Sequence, residues 1–216
     1  MGAKPPTIAV IDYGMGNLRS VWQALVHVAA GREVVVTADP AVVAVAERVV
    51  FPGQGAMPDC MLELDSRGLR QAVLEAAKSK PFLGICIGLQ MLFDHSDEGD
   101  VAGLSVFARR DRRFPAGAMH GPGGERLKVP HMGWNEVEQT QGHPLWKGIA
   151  DRSRFYFVHS YCVDPVDRQC IAGTTDYGIP FTSAVARDNI FAIQCHPEKS
   201  AQAGLALLSN FMHWKP

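Results

Sequence analysis

A cysteine between two glycines is the residue of this chain best placed to do chemistry. A short apolar run from Pro81 leads into Gly84-Ile85-Cys86-Ile87-Gly88 and then into a helical pattern. This spacing is typical of a nucleophile elbow, where a sharp strand-to-helix turn strains the nucleophile and the glycines admit close neighbours. We expect Cys86 to lie exposed at the head of a helix, whose positive end favours the nucleophilic thiolate.

A base for that nucleophile is offered by Cys195-His196-Pro197-Glu198 near the C-terminus. In an extended segment, side chains two positions apart share a face, so Glu198 can orient the His196 ring and stabilise its protonated form. Each motif alone has an ordinary explanation, since a buried cysteine is usually inert and His-Pro-Glu arises easily by chance. Together they predict a catalytic triad of Cys86, His196 and Glu198.

The loop Pro52-Gly53-Gln54-Gly55 follows a predicted strand and could supply an oxyanion site. An elbow nucleophile needs two backbone N–H donors, one from the residue after it and one from a neighbouring loop. Ile87 would give the first donor and the segment Gly53, Gln54 and Gly55 the second. A plain turn at the end of a strand explains the same residues. Gly14-Met15-Gly16 lacks the third glycine of a dinucleotide fingerprint, so we expect no nucleotide there.

Composition restricts the class of protein. The 216 residues, 47% of them hydrophobic, predict one domain with a sizeable core, spanning residues 1–216. A formal net charge of −1 argues against binding to nucleic acid or to an anionic membrane. The basic cluster Arg109–Arg113 is the exception, and we interpret it as a solvated loop or a patch that faces a protein partner.

The five cysteines show no Cys-x-x-Cys spacing, which predicts neither a disulfide framework nor a zinc knuckle. We therefore expect a reducing compartment, the cytoplasm. Residues 1–6 lack an apolar signal core. A metal site that uses Cys195 and His196 would lack ligand spacing, so neither a metal nor a cofactor is expected.

Hydrophobic periodicity predicts alternating strands and helices in the first half and mostly strands in the second. The predicted elements are strands at 7–11, 33–37, 48–51 and 82–85, helices at 18–29 and 69–78, further strands at 128–137, 154–163, 170–174, 181–186 and 190–194, and a last helix at 205–214. The last two strands form a hairpin across Arg187-Asp188-Asn189. Strands separated by helices imply a doubly wound, mainly parallel α/β sheet with its site at the carboxyl ends of the strands.

The chain resembles the class I, triad-type glutamine amidotransferases from its first strand to its last helix. The elbow and His196-Pro197-Glu198 are shared by that whole class. Asp12-Tyr13-Gly14-Met15-Gly16-Asn17 and Met132-Gly133-Trp134-Asn135 point to the glutaminase subunits that work with a cyclase. The resemblance implies a flavodoxin-like, three-layer α/β/α fold with added antiparallel strands.

The resemblance also implies a reaction and a partner. Cys86 would attack the side-chain amide of glutamine, with Gln90, Glu98, Ser160 and Tyr161 holding the amino-acid end. The ammonia would pass to a (β/α)₈-barrel cyclase subunit, HisF in bacteria, which forms imidazole glycerol phosphate and an aminoimidazole carboxamide ribotide in histidine biosynthesis. The interface candidates in this heterodimer are Asn17, Trp134 and Tyr156, and Trp134 would be its anchor unless it is a core residue.

Two departures from the family pattern bear on these expectations. Gln54 stands where a small apolar residue is common in the subfamily, so the oxyanion loop could respond differently to the binding of a partner. Cys195 replaces a bulky aromatic residue and leaves a second thiol beside His196. Three alternatives stay open: a cysteine hydrolase, an amidotransferase of another synthase, and a binding module that has lost its chemistry.

Overall fold

Strands and helices alternate through the first half of the chain in a computed structural model, which describes residues 8–115, 117, 119–121 and 123–216. The strands are β1 (Ile8–Ile11), β2 (Val34–Thr37), β3 (Arg48–Gly53), β4 (Phe82–Cys86), β5 (Phe93–Ser96), β6 (Val101–Ala102), β7 (Phe107–Arg113), β8 (His131–Gln139), β9 (Ser153–His159), β10 (Tyr161–Val163), β11 (Ile171–Asp176), β12 (Pro180–Arg187) and β13 (Ile190–Ile193). The α-helices are α1 (Leu18–Val28), α2 (Pro40–Val45), α3 (Met57–Ser66), α4 (Arg70–Ser79), α5 (Ile87–Gln90) and α6 (Ala201–His213). Thr7 and residues 1–6, on which the sequence predicts a strand start and no signal core, lie outside the described part.

Five parallel strands form the centre of the sheet, in the order β2-β1-β3-β4-β13. Their sequences are short continuous apolar runs, as strands covered on both faces require, and all four residues of β1 are buried. The strand order reverses direction at β1, so right-handed crossovers place α1 on the opposite face from α2 and α4. Helix α6 packs against α1, while α2 packs against α4. The predicted three-layer α/β/α architecture is confirmed.

Antiparallel strands extend the sheet beyond β13, in the order β12-β10-β7, with β11, β8 and β9 branching from β12. The predicted hairpin between the last two strands is confirmed, because Arg187 pairs with Ile190 across a two-residue turn. The single predicted strand 154–163 is wrong: it divides at Ser160 into β9 and β10. Helices α2 and α3 were not predicted. Helix α2 has only six residues, whereas α3 does carry an apolar stripe at Met57, Cys60, Met61 and Leu64 that could have indicated it.

The basic cluster Arg109–Arg113 is not a loop, as the sequence led us to expect, but part of β7. Asp111 is the buried residue of this run, and the arginines around it are exposed. The outward charges hide the alternation that normally identifies a strand. Asp164 lies 2.9 Å from Arg109 and 3.4 Å from Arg112 and partly neutralises the patch.

Candidate active site

The elbow at the end of β4 holds Cys86 in a conformation that L residues rarely adopt, with φ 56° and ψ −110°. Glycine is required on both sides of it. A Cβ on Gly88 would collide with the Phe51 carbonyl, and one on Gly84 would lie 2.9 Å from the Ala192 Cβ. This confirms the predicted strained turn and the reason for its glycines.

The expected exposure of Cys86 is wrong, since its relative accessibility is only 4%. Loops at the ends of neighbouring strands cover the thiol and leave it at the wall of a cavity of about 230 Å³. The helix that follows, α5, is a single turn of four residues. A helix dipole this short gives less help to a thiolate than the sequence suggested.

The base and its carboxylate come directly after β13, on the strand next to β4. His196 precedes a short 3₁₀ turn, Pro197–Lys199, so the pair is made across a turn and not within an extended segment. His196 Nδ1 lies 2.8 Å from Glu198 Oε1, and both side chains are buried. The His196 backbone N–H is fixed by the Tyr156 carbonyl at 2.8 Å.

The charge state of His196 depends on its two neighbours. Burial by itself lowers the His196 pKa, but the Cys86 sulfur and the Glu198 carboxylate outweigh it and raise this pKa to about 10. His196 Nε2 has no hydrogen-bond partner of good geometry among the described residues. The raised pKa favours the protonated imidazolium of His196, whose Nε2–H is available to a reacting group.

The oxyanion candidates divide into two sets. Gln54, Gly55 and Ile87 line the cavity beside Cys86, whereas Gly53 does not. Gly53 is the last residue of β3, and a Cβ there would collide with the Tyr13 hydroxyl and lie 2.8 Å from the Ile87 Cβ. Its place in the site is therefore to permit close packing under the loop.

All four residues expected to hold the amino-acid end of glutamine, namely Gln90, Glu98, Ser160 and Tyr161, line the same cavity. Gln90 is buried and donates to the Tyr161 carbonyl at 3.2 Å, while its Oε1 has no partner among the described residues. Glu98 accepts from the Met57 N–H at 2.9 Å and so also caps α3. The structure thus places these two side chains inside the site and not on a solvated surface.

A pair of buried histidines behind Tyr161 was not predicted. His159 Nδ1 lies 2.7 Å from the Tyr161 carbonyl, His131 Nδ1 lies 3.0 Å from His159 Nε2, and Asn135 Nδ2 lies 3.3 Å from His131 Nε2. A carbonyl only accepts, so His159 donates to it and each hydrogen bond in this chain has a fixed direction. Burial lowers the pKa of His131 to about 4 and that of His159 to about 3, which keeps both rings neutral.

Gln194, the last residue before Cys195, was also missed. Its amide nitrogen lies 3.7 Å from the Cys86 sulfur, and its side chain is fully buried. The sequence does carry a signal for it. In an extended segment residues two apart share a face, so the pattern alone would place Gln194 on the same side of the chain as His196.

The second thiol beside the base differs chemically from Cys86. Burial raises the pKa of Cys195 well above its usual value and raises that of Cys60 to about 11. The same effect raises the pKa of Cys162 to about 12 and that of Cys170 to about 11. These four thiols stay protonated at neutral pH and are poor nucleophiles.

The three interface candidates lie outside the cavity. Asn17 is exposed and its side chain caps α1 by accepting from the Ser20 N–H at 3.4 Å. Trp134 is 44% exposed, so it is not a core residue, and it packs edge-on against Tyr156 with ring centroids 6.3 Å apart. Trp134 and Tyr156 face each other directly across the β8–β9 pair.

A cysteine elbow and a His–Glu pair at the carboxyl edge of a doubly wound sheet define the class of triad amidotransferases. The family model described as "Glutamine amidotransferase class-I" matches residues 9–214. The fold is also that of solved structures: a putative GMP synthase component from Thermoplasma acidophilum has a TM-score of 0.70 at 16% identity and covers 98% of this chain and 94% of its own. A structure titled as a glutamine amidotransferase has a TM-score of 0.68 at 15% identity and covers 92% and 94%. The chain belongs to the class-I glutamine amidotransferase family and is a glutamine amidotransferase.

Curated relatives are more specific. A protein of Dechloromonas aromatica is 72% identical over 97% of this chain and 97% of its own, and one of Aromatoleum aromaticum is 66% identical over 97% and 99%. A third, from Nitrosomonas europaea, is 58% identical over 97% and 99%. All three are named imidazole glycerol phosphate synthase subunit HisH, so this chain falls in the HisH branch of the family.

No helix within the described ranges has the length and apolarity needed to cross a membrane.

Proposed function

We propose that this chain is the glutaminase subunit of an imidazole glycerol phosphate synthase and hydrolyses glutamine to glutamate and ammonia with Cys86, His196 and Glu198. The observation that carries the proposal is the buried imidazolium site of His196, held between a carboxylate at 2.8 Å and the elbow sulfur, at the wall of a cavity. Near-full-length relatives named HisH support the particular synthase. The cysteine pattern supports the cytoplasm as the compartment.

The reaction follows from the charges at the site. The Cys86 thiolate attacks the carboxamide carbon of glutamine, and the backbone N–H groups of Ile87 and of the Gln54–Gly55 loop stabilise the oxyanion. His196 Nε2–H protonates the departing nitrogen, so that ammonia leaves and a glutamyl thioester remains. The neutral His196 then takes a proton from water, which attacks the thioester, and glutamate and the thiolate are released. Glu198 holds the ring in the productive tautomer throughout.

Substrate selection is assigned to the far end of the cavity. The Gln90 Oε1 has no partner among the described residues and can accept from the α-ammonium group of glutamine, next to the negative charge of Glu98. Backbone groups of Ser160 and Tyr161 would bind the α-carboxylate. The histidine chain behind Tyr161 fixes that segment, because its hydrogen bonds allow one orientation only.

The partner proposed for this subunit is the (β/α)₈ cyclase HisF. Ammonia is protonated in water and is then useless as a nucleophile, so the two sites must be joined. Trp134, Tyr156 and Asn17 would form the contact surface. Tyr156 belongs to both sites, since its ring packs on Trp134 and its carbonyl accepts from the His196 N–H at 2.8 Å.

The test is to measure glutamate release from glutamine by the chain alone, with HisF, and with HisF plus its ribotide ligand. We expect slow release alone and a sharp rise with the liganded partner, and we expect Cys86→Ala to abolish the rise. Full activity of the chain alone would indicate an autonomous glutaminase. Absence of glutamate release under all three conditions, or a rise only with a different synthase, would contradict the proposed function.

A further inference from the structure

Gln194 is a buried amide that the triad chemistry leaves unused. It sits at the end of the β13 run, two residues before His196, and its backbone N–H is fixed by the Ser183 carbonyl at 2.8 Å. Its side-chain nitrogen lies 3.7 Å from the Cys86 sulfur, within the range of an N–H···S hydrogen bond. Gln194 does not line the substrate cavity, so its amide acts on the nucleophile and not on glutamine.

The orientation of this amide follows from the groups behind it. The Tyr161 carbonyl can only accept, so Gln90 must turn its nitrogen towards it, at 3.2 Å. The same Gln90 nitrogen lies 3.1 Å from the Gln194 Oε1 and donates to it. The Gln194 oxygen is therefore committed to Gln90, and its N–H end faces the sulfur.

The Tyr161 carbonyl is itself fixed by a hydrogen bond from a histidine. It accepts from His159 Nδ1 at 2.7 Å, and His159 in turn accepts from His131 Nδ1 at 3.0 Å. Both rings are neutral, so the direction of each bond does not change near neutral pH. The amide that faces Cys86 thus stands at the end of a series of hydrogen bonds with a single possible polarity.

We propose that Gln194 is a catalytic residue: its side-chain N–H donates to the Cys86 sulfur, stabilises the thiolate, and fixes the sulfur where it meets the substrate carbon. A donor of this kind favours a negatively charged sulfur over a thiol or a thioester. It therefore raises the fraction of Cys86 that is present as thiolate before the first attack, and it assists the expulsion of the thiolate when water cleaves the glutamyl thioester. This role supplies part of what a one-turn helix gives only weakly. The inference rests on the proposed function in taking Cys86 as the nucleophile.

The experiment measures the rate of Cys86 alkylation by iodoacetamide against pH in the full-length chain, with peptide mass spectrometry to report on Cys86 alone. The variants are Gln194→Glu, which replaces the donor by a carboxylate oxygen and keeps an acceptor for Gln90, and Gln194→Met, which removes both the donor and that acceptor without adding a charge. We expect the alkylation curve of Gln194→Glu to move to higher pH by about one unit, an about tenfold slower reaction at pH 7. The shift in Gln194→Met has the same sign and is smaller.

Steady-state kinetics give the second readout. For Gln194→Glu, which keeps an acceptor for Gln90, we expect kcat for glutamine to fall by about tenfold or more with KM nearly unchanged, because the lost interaction is with the nucleophile. In Gln194→Met we expect kcat to fall and KM to rise, because Gln90 also loses its partner. The matched control is Gln139→Glu, whose amide donates to backbone carbonyls of Ile149 and Ala150 far from the site. Its curve and its kcat should be those of the wild type.

An alkylation curve that stays in place in both variants would overturn the proposal, even if kcat fell, because a packing role alone predicts that result. If Gln194→Glu fails to fold, the alkylation curves of Gln194→Met and Gln90→Leu test the proposal instead. Gln90→Leu removes the hydrogen bond that orients the Gln194 amide. If the alkylation curve shifts in the variants but the wild-type chain hydrolyses no glutamine with HisF, the hydrogen bond from Gln194 to Cys86 is supported. The same result contradicts the proposed function.

Discussion

At the scale of single residues, the chemistry depends on a histidine whose pKa is set by the cysteine and the carboxylate beside it. Cys86 and His196 come from different strands, lie far apart in the sequence, and meet because β4 and β13 are neighbours. Burial alone would keep His196 neutral, and the charges of Cys86 and Glu198 reverse this. The sequence identified all three residues, but only their packing shows that the pair is removed from water.

The effect of Cys86 on the His196 pKa can be measured by NMR titration of His196. We expect Cys86→Ala to lower the His196 pKa from about 10, because the sulfur is a principal cause that raises it. Glu198→Gln should lower it also. An unmoved His196 pKa in Cys86→Ala would show that the thiol and the ring do not interact.

At the scale of elements, the elbow depends on close approach of backbone. The α5 turn lies directly against β3, and the Phe51 carbonyl occupies the space where a side chain at position 88 would begin. The spacing of Gly84 and Gly88 predicts this turn, because it involves only residues that are close in the sequence. The sequence does not indicate which strand packs against the turn.

Gly88→Ala should therefore destabilise the fold. We expect a loss of about 2–4 kcal/mol in the free energy of unfolding, because the strand and the turn must move apart. Urea unfolding would measure it. Gly142→Ala is the matched control, since nothing lies within 4 Å of a Cβ at that position, and it should be nearly neutral. Equal stability of the two variants would contradict this account of the elbow.

The buried acid of β7 gives a prediction that depends on pH. Burial raises the Asp111 pKa to about 6, and the nearby Ser96 hydroxyl opposes this. A carboxyl whose pKa is raised on folding destabilises the protein above that pKa and ceases to do so as pH falls towards its unfolded value. Asp111→Asn should therefore stabilise the fold at pH 7.5, by at most about 2–3 kcal/mol, and the gain should vanish near pH 4.

Thermal unfolding of Asp111→Asn and wild type at both pH values would test this. A gain that does not depend on pH would contradict a raised Asp111 pKa.

Strand β7 also shows where sequence analysis fails. Alternation predicts strands when one face is apolar, but here exposed arginines flank a buried acid, and the pattern resembles a loop. The parallel centre was predictable because each of its strands is a compact apolar run. Strands β9 and β10 were merged because their break is the single residue Ser160 within a mostly apolar and aromatic run.

At the scale of the whole molecule, one edge of the sheet carries the triad, the cavity and the exposed Trp134. The β8–β9 pair links them, because Tyr156 packs on Trp134 through its ring and holds His196 through its carbonyl. A partner that binds Trp134 thus contacts a strand that positions the base. The sequence predicted these residues through family resemblance, and only the structure shows that they share a strand pair.

Trp134→Ala should weaken binding to HisF by about 2 kcal/mol or more, an about thirtyfold rise in Kd, as an exposed aromatic anchor would. Glutamate release by the isolated chain should not change. The matched control is Trp22→Ala, which removes another tryptophan, 38% exposed, on α1. Calorimetric titration of HisF would measure both. Equal affinities of the two variants would place the interface elsewhere.

Cys86, and not the neighbouring Cys195, should form the covalent intermediate. The most direct measurement is acid quenching of the enzyme during glutamine turnover with liganded HisF, followed by peptide mass spectrometry. We expect a glutamyl group on the peptide that contains Cys86 and none on the peptide that contains Cys195, whose pKa is raised by burial. A glutamyl group on Cys195, or turnover that persists in Cys86→Ala, would contradict it.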